Sequence, residues 1–92
     1  MKIAAHGCPV CGFPEFVALE EGGGPTDNIC PSCGSHSGYT YQDEVSEEHL
    51  ESVRRDWLYK ESGRWWSRRL PVPSGWSAQS QMRLAGIAIP KP

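Results

Sequence analysis

A chain of 92 residues with 38% apolar content is one small domain at most, and its hydrophobic core is marginal without further support. The formal charge is -2 with neutral cysteines, and about -4 once four thiolates hold one Zn²⁺, which argues against a general nucleic-acid binder that works by neutralising phosphates. No run of residues is long enough to span a membrane, and Ile3, Ala4 and Ala5 are too few for a signal-peptide core, so the expectation is a cytoplasmic chain with reduced thiols.

In chain order, residues 8 to 12 read C-P-V-C-G and residues 30 to 34 read C-P-S-C-G, the one internal repeat. Between these knuckles, Phe13 to Glu20 reads as a strand with Val17 and Leu19 on one face, and Gly22, Gly23, Gly24 and Pro25 supply a reversal. Gly38 to Gln42 reads as a second short strand, with Tyr39 and Tyr41 on one face, that pairs with the first arm. A helix is predicted from about Ser46 to Ser62. Ser46 caps it, Leu50, Val53, Trp57 and Leu58 form its apolar stripe, Glu51 with Arg55 and Asp56 with Lys60 lie on the wetter side, and Gly63 ends it. Arg64 to Arg69 carries two adjacent tryptophans, which cannot both face inward, and Pro71, Val72 and Pro73 imply an extended crossing. Ser77 caps a second short helix through Ala85, stopped by Gly86, and Ile87 to Pro92 is expected to be loosely held.

The knuckles carry the chemistry. Two residues between cysteines make a tight turn that lets both sulfurs reach one ion; Pro9 and Pro31 preset that turn, and Gly12 and Gly34 accept the positive φ that completes it. The separation between Cys11 and Cys30 is 18 residues, within the spacing of paired C-x₂-C zinc sites. Cys8, Cys11, Cys30 and Cys33 are therefore the expected ligands of one structural Zn²⁺. Two disulfides or four free thiols are the bland alternative, and the same all-thiolate set accepts iron. Four thiolates close a zinc site, leaving no position for water, and no nucleophile-elbow, phosphate-loop or H-E-x-x-H pattern occurs, so no enzymatic activity is expected.

His6 and His36 lie near the knuckles and could replace a cysteine or accept a proton near the metal, but with four cysteines present they are read as neighbours of the site or as solvated residues, and His49 as an ordinary first-turn helix residue. Arg64, Trp65, Trp66, Arg68 and Arg69 form a candidate binding surface, suited either to a protein partner or to stacking on bases with phosphate pairing. The bland reading puts Trp57, Trp76 and one of the adjacent pair into a core and leaves the arginines solvated. Asp43, Glu44, Glu47 and Glu48 form an acidic patch that offers a second contact.

The knuckles resemble those of rubredoxins, which transfer one electron through iron, although the long helical extension departs from that fold. With G-Y at Gly38 and Tyr39, R-R-D-W in the helix, W-W-S, and P-x-G-W ahead of a glutamine-containing helix, the chain from Cys8 to Gly86 resembles small bacterial cysteine-rich proteins of the CPxCG type. That resemblance implies a zinc-binding fold and supplies no catalytic residues. By analogy with small immunity proteins or adaptors, it suits a compact acidic chain with a protein partner. The expected architecture is α+β in a single domain: a rubredoxin-like zinc ribbon of short antiparallel strands over residues 1–42, a helical extension over 43–86, and the tail 87–92. The expected function is a non-enzymatic, zinc-stabilised module for protein–protein interaction. Nucleic-acid binding through Arg64–Arg69 and rubredoxin-like electron transfer are the alternatives, and no membrane partner is expected.

Overall fold

Ser46 and Ser77 each convert extended backbone into a helix in the computed structural model, which describes all 92 residues. The Ser46 hydroxyl accepts the His49 N–H at 3.1 Å and opens α1, Glu47–Lys60. This satisfies one of the N–H groups left free at a helix start. Glu47 and Glu48 in the first turn and Lys60 in the last complement the helix dipole. The helix ends through Ser62 and Gly63, both with positive φ, and the Gly63 N–H donates to the Trp57 carbonyl at 2.8 Å. Ser77 caps α2, Ala78–Leu84, by accepting the Ser80 N–H at 3.1 Å, and Ala85 and Gly86 close it. Both helices thus lie where capping and periodicity predict them.

The stripe of α1 faces inward, with Leu50, Trp57 and Leu58 buried and Val53 partly so. On the outer side Arg55 contacts Glu51, and Lys60 lies 3.3 Å from Asp56; such exposed pairs contribute only a few tenths of a kcal/mol. From α2, Ala78, Gln81 and Met82 point into the molecule. These helical residues close over Val10, Cys11, Ala18 and Cys30, so the core is built around the knuckles themselves.

The expected antiparallel ribbon over residues 1–42 is absent. Backbone pairing there is confined to single bridges, His6 with Val17, Leu19 with Pro25, Ile29 with His36 and a parallel one between Ser37 and Tyr41, while Lys2 pairs with Glu44. No two of them extend into a ladder. The fold is two helices packed on a turn-rich half that carries both knuckles, rather than an α+β ribbon with an extension. The reason is local. Each knuckle takes its residues into a tight turn, and Pro9, Pro14, Pro25 and Pro31 withhold the N–H donors a ladder needs, Pro25 at the bridge with Leu19 itself.

Two strand-face expectations fail with the ribbon. Val17 is exposed whereas Ala18 and Leu19 are both buried, because the N–H groups of Ala18 and Leu19 turn to the same Ala5 carbonyl and break the alternation. Tyr39 and Tyr41 do not share a face. Gly38 to Thr40 is a turn in which Tyr39 and Thr40 both donate to the His36 carbonyl, leaving Tyr39 exposed and Tyr41 buried. The tail, expected to be loose, lies against α1 instead: Tyr59 donates its hydroxyl to the Pro90 carbonyl at 2.6 Å, Arg55 donates to the Lys91 carbonyl at 3.0 Å, and Ile87 and Ile89 pack on the core. No helix is long and apolar enough to cross a membrane.

Candidate metal centre

The two knuckles are built alike. In the first, the Gly12 N–H donates to the Cys8 carbonyl at 2.9 Å and the Cys8 N–H to the Phe13 carbonyl at 3.0 Å. In the second, Gly34 donates to Cys30 at 2.8 Å and Cys30 to Ser35 at 2.9 Å. Gly12 and Gly34 have φ of 82° and 80°, the left-handed region that the turn requires and that side chains with a Cβ resist. The repeat read in the sequence is therefore a repeat in backbone geometry.

The knuckles bring Cys8, Cys11, Cys30 and Cys33 together, all buried, with their sulfurs all within 4.8 Å of one another. Cys8 and Cys33 are 3.7 Å apart, as are Cys11 and Cys30. Thiolates at about 2.3 Å from a tetrahedral zinc ion are separated by about 3.8 Å along each edge, so these two spacings suit a shared ion. They are far from the roughly 2.05 Å of a disulfide, and the four cysteines are free. The arrangement can bind a metal ion.

The cluster's electrostatics also favour a cation. Burial pushes the Cys11 thiol far up, and hydrogen bonding to Cys11, Cys30 and Cys8, reinforced by burial, pushes Cys33 up. Burial acts in the same direction on Cys8, but hydrogen bonds from the other cysteines and Ser35 outweigh it and hold Cys8 well below the ordinary thiol range. Gathering thiolate charge at Cys11 and Cys33 is thus unfavourable until a cation is there to compensate it.

Three side chains support the sulfurs without a sequence signal that singles them out. The Ser35 hydroxyl lies 3.1 Å from Cys33 Sγ and 3.4 Å from Cys8 Sγ, positioned to donate to thiolate. Arg54, on the inner face of α1, donates from Nε to the Val10 carbonyl at 2.8 Å and from Nη2 to the Pro9 carbonyl at 2.7 Å, so it grips the turn of the first knuckle. Gln81 of α2 bridges both knuckles, donating to the Cys11 carbonyl at 3.2 Å and to the Ser32 hydroxyl at 2.8 Å, while its carbonyl accepts the Trp76 indole N–H at 2.9 Å. In the sequence Arg54 enters only through the R-R-D-W motif and Gln81 only through the glutamine-containing helix, with no role assigned to either. The Tyr41 hydroxyl is buried without a partner; burial, and then the negative charge of the cysteine cluster, raise its pKa, so it stays a protonated donor.

The glycine ending each knuckle is also a docking point for the C-terminal half. A Cβ on Gly12 would lie 2.4 Å from the Ala85 Cβ, and one on Gly34 the same distance from Trp66 Cδ1. The segment after α1 is laid along the second knuckle, with Trp66 N–H donating to the Ser32 carbonyl at 3.0 Å and Ser67 N–H to the Pro31 carbonyl at 2.8 Å. Trp65 turns inward, edge-on to Phe13 and Trp76, and Trp66 keeps half its surface in solvent. Arg64 to Arg69 curl around a concavity of about 560 Å³.

The remaining candidates are not brought to the sulfurs in a ligating arrangement. His6 is exposed, His36 stacks on Tyr39 at 4.3 Å, and His49 bonds the Thr40 carbonyl from the surface. Of the acidic patch, Glu47 pairs with Arg54 and Glu44 lies 3.5 Å from the N-terminal amine. Comparison with models of known families, with curated proteins and with solved structures finds no match to this chain.

Proposed function

We propose that the chain is a non-enzymatic binding module whose metal site holds structural Zn²⁺ and whose partner is a protein. The observation that carries the reading is that four buried thiols converge within 4.8 Å of one another, two pairs of them at 3.7 Å, while Arg54 and Gln81 tie both helices to the knuckles that supply them. Four thiolates fill a zinc coordination sphere and leave no place for a substrate or an attacking water, which supports a structural role. Cys8, Cys11, Cys30 and Cys33 would hold the ion, and Ser35 would orient its hydroxyl toward their charge. Structural zinc contributes about 10 to 16 kcal/mol in small peptides, against a net stability of roughly 5 to 15 kcal/mol for a whole domain. In a core centred on the knuckles, metal binding and folding are then one equilibrium. Free thiols of this kind persist in a reducing compartment, which supports a cytoplasmic setting.

Resemblance to the CPxCG-type proteins is part of the proposal and rests on the knuckles with the downstream tryptophans. The all-thiolate set accepts iron as well; zinc is proposed because the two C-x₂-C pairs have the separation of zinc sites and the helices after them depart from a rubredoxin. Replacing Cys30 with serine tests the structural role. The variant is expected to lose the metal and to unfold the knuckle half, seen as loss of near-ultraviolet circular dichroism. A metal-free Cys30→Ser protein that melts like the parent would remove the basis of the reading.

A further inference from the structure

Ion pairing divides the surface unequally. Arg54 and Arg55 face Glu47 and Glu51, and Lys60 faces Asp56; of the basic side chains without a carboxylate partner, Lys2, Arg83 and Lys91 are scattered along the sequence, whereas Arg64, Arg68 and Arg69 fall within six residues. All three lie on one loop and line one concavity. The loop is fixed in place: the Ser67 hydroxyl accepts the N–H groups of Arg69 and Leu70, the Trp65 indole donates to the Leu70 carbonyl at 2.9 Å, and the backbone at Trp66 and Ser67 is bonded to the second knuckle. Three cations are therefore held together on a preorganised support with their charge uncompensated.

We propose that this loop is the docking site for an acidic segment of a protein partner, one that carries apolar side chains between its carboxylates. The proposal rests on the reading of the chain as a binding module on a metal scaffold, and names the surface and chemistry it uses. Guanidinium groups pair with carboxylates in a two-pronged geometry, and arginine and tryptophan are the side chains most enriched at energetic centres of protein interfaces. The loop and the residues after it also expose Trp66 at 49%, Leu70 at 54% and Val72 at 53%. The two aliphatic side chains offer nothing to a stacked base but do offer contact to Leu, Phe or Trp. A chain of net charge -2 repels an extended polyanion as it approaches, whereas a short segment with a few carboxylates feels mainly the local arginines. Both features favour protein over nucleic acid.

The experiment is selection of a random displayed peptide library on zinc-loaded full-length protein, followed by fluorescence anisotropy with the enriched peptides and with labelled dT12. The selected peptides are expected to combine Asp or Glu with Leu, Phe or Trp. The triple variant R64E/R68E/R69E is expected to weaken them about tenfold or more. Arg83→Glu with Lys91→Glu, a charge change elsewhere, is expected to leave binding unchanged. Lack of enrichment, enriched peptides without an acidic excess, equal binding by the triple variant, or tighter binding of dT12 would each overturn the proposal. Metal content and circular dichroism of the same preparations separate the two readings. A folded, zinc-loaded chain that fails these binding criteria removes the docking site alone, and a chain that folds without metal removes the scaffold.

Discussion

Arg54 and Val10, 44 residues apart, are joined by a buried hydrogen bond of 2.8 Å from the guanidinium Nε to the knuckle carbonyl. The same side chain reaches Pro9 and Glu47, so one residue of α1 fixes the turn that carries Cys8 and Cys11. Its carboxylate partner is more than half exposed and adds little; the bonds to Pro9 and Val10 carry the effect. Arg54→Met should therefore lower the stability of the metal-loaded protein by about 3 kcal/mol, the scale of two charged hydrogen bonds lost with their acceptors left buried. Arg54→Lys should recover only part, because an ammonium lacks the planar fork. Denaturant unfolding of the two variants beside the parent checks this, and equal midpoints would refute it.

Substituting glycines separates backbone strain from overlap. Gly34 and Gly75 both have positive φ, but a Cβ on Gly34 meets Trp66 at 2.4 to 2.7 Å whereas one on Gly75 meets nothing within 4 Å. Gly75→Ala should cost about 1 to 2 kcal/mol, the price of a left-handed residue with a Cβ. Gly34→Ala should cost more and displace Trp66, shifting tryptophan emission to longer wavelength. Similar losses and unchanged emission in both variants would show that Trp66 does not rest on the second knuckle.

Ser35 and Tyr41 both place hydroxyls in the buried surroundings of the cluster, with different expected effects. Ser35→Ala removes the donor near Cys8 and Cys33, and should weaken zinc about 10-fold or more in a competition assay with a chromogenic chelator. Tyr41→Phe removes a hydroxyl that has no partner, so the zinc-loaded protein should lose no stability. A Ser35→Ala protein that holds zinc like the parent would contradict the first expectation, and a destabilised zinc-loaded Tyr41→Phe the second.

The pH dependence follows from the thiols. In the metal-free cluster the pKa values of Cys11 and Cys33 are raised, so both carry protons at neutral pH and must release them to bind a cation. Zinc affinity should therefore rise with pH and collapse on acidification. The ordinary value of a thiol in an unfolded chain is about 8.5. In the loaded form the ion holds the thiolates, whose stability is present above that value and is lost as pH falls through the metal-bound range. Calorimetric zinc titration in buffers of different ionisation enthalpy checks the proton release, and binding without release would contradict it.

The parts of the molecule legible in the sequence are those fixed by neighbours a few residues apart. Ser46 and Ser77 mark helix starts through bonds to the third residue onward, and each C-P-x-C-G motif closes its own turn. Those motifs also bring the four sulfurs together. The strands were not legible correctly because alternation at Val17 to Leu19 and at Tyr39 to Tyr41 resembles a strand pattern, while the backbone there is spent on contacts with Ala5 and His36. Arg54 and Gln81 were equally hidden. Their partners are backbone groups 44 and 70 residues away, and nothing in a helix's polar pattern distinguishes a side chain that will grip a distant carbonyl from one in water.

Metal content and sulfur coordination, measured together by elemental analysis and X-ray absorption on protein purified without added metal, test the metal centre. One zinc per chain with four sulfur neighbours at about 2.3 Å is the predicted result. Absence of metal with Cys8, Cys11, Cys30 and Cys33 joined in disulfides would contradict it, and iron in the same sulfur cage would replace the structural role with electron transfer.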